Sequence, residues 1–238
     1  MDNLLNVAVE AHGGLNAWNK LQRLTANVSM GGALWDMKRV PGIFNHARVE
    51  LKLHAQHVVT HLLDQGERIV FTPNQMTLES ETGKTLDTRT DPRSAFARQS
   101  ADSKWDKLDA GYFASYALWG YLTTPFLYTY PGFEALEMDR WHENGERWRV
   151  LQFTVPEGYA AHTRTQYVYF GEDGLVRRHL YTVDILGGSR GANYAFDYRA
   201  VNGVMIATRR RVVAYNEARQ KIDEPILVSI DLSEVGFV

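Results

Sequence analysis

Eight histidines and no cysteine set the limits on what this chain can do chemically. Thiolate metal sites, disulfides and a cysteine nucleophile are excluded together. His54, His57 and His61 stand three and four residues apart, as metal ligands on a helix would. The alternation around them reads as a strand, in which His57 and His61 share a face with Val49, Leu51 and Val59 but lie roughly 13 Å apart, too far for one ion. No metal and no cofactor is therefore expected. His57, and His179 with Tyr181 on one face of a later strand, could instead place imidazoles and a phenol inside a cavity as catalytic acid or base. His61 shares the apolar face as a ligand contact.

No G-x-S-x-G elbow is present, and Gly187-Gly188-Ser189-Arg190-Gly191 reads as a glycine turn between strands with no helix after it to hold a phosphate. Asp184 sits in the apolar run Tyr181 to Leu186 and needs a partner, for which Arg209, Arg210 or Arg211 is available; Asp184 and Arg209 are candidate ligand contacts. Aromatic residues make the stronger signal. Tyr112, Tyr116 and Trp119 recur at i, i+4 and i+7, one stripe of a helix, and Trp35 is expected from the bend of an early strand. Such rings pack on an apolar ligand and hydrogen-bond its polar end.

The elements that must carry these residues fall into four blocks of a single domain, 1–238. Residues 1–21 hold an amphipathic helix over 2–19, interrupted at Gly13-Gly14. Residues 22–90 hold strands: Leu24, Ala26, Val28 and Met30 alternate with polar residues, the strand resumes after Gly31-Gly32 through Leu34, Trp35 and Met37, and Arg48 to Leu63 is one long alternating run. Pro73-Asn74 turns a hairpin. Residues 91–131 form a helical aromatic insertion, opened by Asp91-Pro92 and dense in rings between Trp105 and Tyr130. Residues 132–238 return to strands, with turns at Glu143 to Glu146, Gly171 to Gly174 and Asn202-Gly203. The expected fold is mainly β (α+β): a curled antiparallel meander forming an unclosed barrel, with an N-terminal helix and a central helical lid or plug.

Lys plus Arg number 26 against 28 Asp plus Glu, so no basic excess draws the chain to nucleic acid. The opening Met1-Asp2-Asn3-Leu4-Leu5-Asn6 has no basic n-region or apolar run, and no transmembrane segment is found. A cytoplasmic protein is expected, or a periplasmic one where a leader has been removed.

Three stretches carry a family likeness. Glu10 to Trp18 with Leu21 and Leu24, then Phe196 to Arg211, then Val228 to Val235, resemble the opening helix, late hairpin and closing strand of the LolA/LolB lipoprotein carriers. The resemblance implies an unclosed β-barrel whose concave apolar face holds acyl chains or another hydrophobic ligand under a helical lid. It carries over no catalytic residue, because those carriers have none. Two functions follow: binding of a hydrophobic small molecule or lipid, or a cytoplasmic enzyme of small-molecule biosynthesis (cyclase, isomerase or hydrolase) working in the same cavity.

Overall fold

The computed structural model describes residues 3–100 and 102–238. The predicted N-terminal helix starts at residue 2, outside the described residues. Its described part is α1 (Leu4–Ala11) followed, after the Gly13-Gly14 break, by α2 (Leu15–Trp18). Asn3 caps α1 by accepting from the Leu5 N–H at 2.9 Å. Leu4, Ala8 and Val9 are its buried face, and the Met205 N–H donates to the His12 carbonyl at 3.0 Å, tying the helix to the sheet.

The first strands are β1 (Arg23–Gly31), β2 (Ala47–Lys52), β3 (Val58–Leu62), β4 (Glu67–Thr72), β5 (Gln75–Ser80) and β6 (Thr85–Thr90). The second group is β7 (Glu134–Glu143), β8 (Glu146–Thr154), β9 (Thr165–Phe170), β10 (Val176–Val183), β11 (Ser189–Val201), β12 (Val204–Tyr215), β13 (Lys221–Ile222) and β14 (Val228–Phe237). They form one 14-stranded antiparallel sheet ordered 6-5-4-3-2-1-14-12-11-10-9-8-7, with β13 on β12. Edges β6 and β7 do not meet, so the barrel is unclosed. Two meanders run outward from β1 and β12, joined through β14.

Two predicted strands are corrected. Leu34, Trp35 and Met37 lie on a short helix, α3 (Ala33–Met37), because Gly32, at φ +108°, turns the chain against the Leu227 carbonyl where a β-carbon has no room. The run Arg48 to Leu63 is a hairpin, β2 and β3, with a turn between them. The turn inverts the parity: Val49 and Leu51 point inward on β2, but Val58, Thr60 and Leu62 do so on β3.

The insertion folds as a 3-10 turn, Pro92–Arg98, then α4 (Lys107–Thr123), then a second turn, Phe126–Thr129. Fifteen of the seventeen α4 residues are buried. A helix apolar all round belongs in a core, and α4 fills the concavity of the sheet as its plug. Its start is set by a reciprocal capping box between Asp106 and Asp109, clamped by Arg89, which donates to Asp106 Oδ2 at 2.6 Å and to Asp109. No helix among the described residues is long and apolar enough to cross a membrane.

Candidate functional site

Two cavities flank α4 and abut at Ala117 and Tyr121. The first, about 50 Å³, is almost wholly apolar, lined by Met30, Leu34, Trp35, Phe113, Leu118 and Ile230 among others. The second, about 30 Å³, is more polar; Gln56, Tyr116, Tyr128, His162, Gln166 and His179 face it.

Half of the predicted site residues meet here. Trp35 faces the first cavity from α3, its indole N–H donating to the Gly31 carbonyl at 3.1 Å and its ring set edge-on to Phe44 and Phe113. Tyr181 lines the first cavity; Tyr116, Trp119 and His179 line the second. Trp119 is held by its own N–H, which donates to the Lys52 carbonyl at 2.8 Å. Tyr112 is buried away from both cavities, against Phe71 and Phe96.

The other four lie elsewhere. His57 is in the β2–β3 turn, half-buried, its N–H donating to the Ala55 carbonyl. The parity change turns His61 outward, 3.8 Å from Glu50. Asp184 is not in an apolar strand: it opens the single 3-10 turn Asp184–Leu186 after β10 and pairs with Arg93 at 2.9 Å, not with the arginines of β12. Arg209 faces away from the cavities and pairs with Asp197 at 2.7 Å.

At the centre stands a residue the sequence reading did not single out, His162. It lies in the irregular segment between β8 and β9, where no periodicity can flag it; its only signal is an imidazole after the small residues Ala160-Ala161. Tertiary hydrogen bonds put it in place. Gln56 clasps Ala160 through both amide atoms at 2.8 Å, Arg93 donates to the Ala161 carbonyl at 2.9 Å, and the Asp184 N–H donates to the His162 carbonyl at 2.9 Å. The imidazole then stacks on Tyr181, with centroids 3.8 Å apart and planes 7° from parallel. Its Nδ1 is 3.2 Å from the Tyr116 hydroxyl and its Nε2 is 2.8 Å from that of Tyr121, which is also hydrogen-bonded to Tyr181.

Burial sets the protonation of this group. Desolvation, aided by the charges of His179 and Arg93, holds His162 well below the usual histidine range. His179 is pushed down to about 3 by burial and then by the nearby Arg210. Tyr116, Tyr121 and Tyr181 are all raised, chiefly by burial. At neutral pH the cluster is an uncharged hydrogen-bonding lattice. Arg210, beside it, is the exception: its guanidinium donates to the Tyr121 carbonyl in the last turn of α4 at 3.1 Å and lies 5.2 Å from the Tyr121 ring centroid. Inward-facing alternation with Val204, Ile206 and Val212 marks Arg210, not Arg209, as the interior arginine.

A curled, unclosed antiparallel sheet wrapped on a helix and flanked by an N-terminal helix is the LolA/LolB-like fold. Two solved structures illustrate the likeness. A LolA superfamily protein from Nitrosomonas europaea superposes with TM-score 0.52 at 8% identity, covering 98% of this chain and 92% of that one. A DUF1329 family protein from Desulfovibrio piger gives TM-score 0.51 at 11% identity, covering 98% and 91%. No family model and no curated protein matches the sequence. At such identities the likeness concerns the fold alone.

Proposed function

We propose that the protein binds a hydrophobic small molecule or lipid in the concavity of the half-barrel. The carrying observation is the apolar cavity between α4 and the sheet, with Trp35 on its wall. The fold it shares with a LolA superfamily protein supports the same reading. The larger of two core clusters draws residues from Leu4 to Leu232, and the smaller lies on strands of the same sheet, which supports treating residues 1–238 as a single domain. At about 50 Å³ the cavity is well below the ~150 Å³ that admits a benzene ring in engineered cores, so a chain-like ligand enters by repacking α4 against the sheet.

The alternative reading, acid–base catalysis in the same space, draws on the contact of His179 and Tyr181 with Tyr121 and His162. The titration of these groups argues against it. A useful general acid or base has a pKa near the working pH, and here the histidines are pushed down and the tyrosines up.

Titration of the protein with 1-octanol and 1-dodecanol, followed by tryptophan fluorescence, tests the binding reading. Saturable binding that tightens with chain length and weakens at least tenfold in Ala117→Leu, which fills the space where the two cavities abut, is expected. Absence of saturation, or an affinity indifferent to Ala117→Leu, would remove the concavity as a binding site.

A further inference from the structure

Buried polar atoms without a hydrogen-bond partner are rare in folded proteins, and each one requires a reason. Among the described residues four of nine such atoms belong to one patch: His179 Nε2, Asn193 Nδ2 and Oδ1, and Arg210 Nε. The sheet register brings them together. His179 is directly opposite Asn193 across β10 and β11, while Arg210 on β12 is opposite Ala195, two residues along β11 from Asn193 and on the same face. All three residues are at most 5% exposed and gather under Tyr121, whose hydroxyl the Asn193 amide approaches and helps to stabilise in its charged form.

This patch contains a buried charge with no counter-charge. Arg210 faces the phenols of Tyr198, Tyr121, Tyr128 and Tyr181 and the imidazoles of His12 and His179, and none of the ion pairs of the described residues includes it. Burial of a lone guanidinium is unfavourable unless something anionic completes it. One small space, about 10 Å³ and lined by Arg210, His12 and Tyr198, adjoins it. A second, the polar cavity, lies across Tyr121 and Thr124, lined by His179 but not by Arg210 or Asn193.

We propose that the patch formed by Arg210, Asn193 and His179 receives the carboxylate head of a single-chain amphiphile, whose alkyl chain runs past Ala117 into the apolar cavity. The inference rests on the lipid-binding reading and adds the head group to it. A carboxylate accepts hydrogen bonds only, and the donors that face it are the guanidinium N–H groups and the Asn193 amide N–H; Asn193 Oδ1, an acceptor, is not satisfied by it. Its single negative charge matches the single buried cation. A phosphate, with up to two charges, exceeds the single positive charge of the patch.

Calorimetric titration with dodecanoate and with 1-dodecanol at pH 7.5 separates head from tail. The protein is expected to bind dodecanoate at least tenfold more tightly, and Arg210→Met to lower dodecanoate to the affinity of dodecanol while leaving dodecanol unchanged. Should Arg210→Met fail to fold, Asn193→Asp supplies an internal carboxylate of nearly the same shape. Its expected effect is a raised melting temperature and loss of the preference for dodecanoate. Equal affinities for the two ligands in the unmodified protein, or a preference that persists in these variants, overturns the head-group site and leaves lipid binding intact. Binding of neither ligand overturns both.

Discussion

Three imidazoles, those of His12, His162 and His179, are sealed in this fold in their neutral form, and mild acid should destabilise it. His12 is pushed down to about 4 and His179 to about 3, both chiefly by burial, and His162 lies well below its ordinary range for the same reason. In the unfolded chain each returns to about 6.5. The folded values are the lower ones, so as pH falls the unfolded state takes up protons first. The stability these groups confer is complete above pH ~6.5 and is lost as pH falls from there toward the folded values. Each histidine contributes a slope approaching ~1.4 kcal/mol per pH unit in that window. Relative to pH 7, the loss is about 1 kcal/mol per histidine at pH 5.5 and about 2 kcal/mol at pH 5. His12 and His179 together remove about 4 kcal/mol by pH 5, a large share of the stability of many domains, and His162 adds to the loss in the same direction. Urea unfolding followed by tryptophan fluorescence at pH 7.5, 6.5, 5.5 and 5 reads this as a falling midpoint at constant slope m. Replacing His179 by Gln should make the fall of the midpoint with pH shallower. A midpoint that stays put between pH 7.5 and 5.5 would refute the burial argument for all three.

Two further outcomes follow from the packing. Gly13 has φ +118°, and a β-carbon there would overlap the Gly203 carbonyl oxygen; Gly13→Ala should therefore cost more than ~2 kcal/mol in urea, whereas Gly145→Ala, in an open turn, should cost less. Tyr121→Phe strips a partner from both His162 and Tyr181, each left buried, and should lower stability by about 2–4 kcal/mol with no change in far-UV circular dichroism; a loss under ~0.5 kcal/mol would mean the lattice is not a stabilising network.

Local chemistry determined much of this protein from the sequence alone. Alternation of Leu24, Ala26, Val28 and Met30 placed β1 with the correct face inward, because a pleated strand exposes its pattern residue by residue. Asn144-Gly145 and Asn202-Gly203, all four at positive φ, end their strands through a turn geometry that these residue types favour. The aromatic density of residues 105–130 likewise announced an interior helix.

Tertiary structure decided which of those side chains meet. A period of two persists across a hairpin turn in the sequence but not in space, so a strand reading through Leu53–His57 put His61 on the wrong side and missed Thr60. Asp184 found Arg93, ninety-one residues earlier in the chain, because the turn after β10 packs beside residues 92–98. His162 has no local pattern, and reaches Tyr116 and Tyr121 because Gln56, more than a hundred residues before it, together with Arg93 and the Asp184 N–H, holds its loop. Periodicity reports where one segment is apolar; the meeting of buried polar groups depends on register and loop docking, which are settled only when the sheet curls around α4.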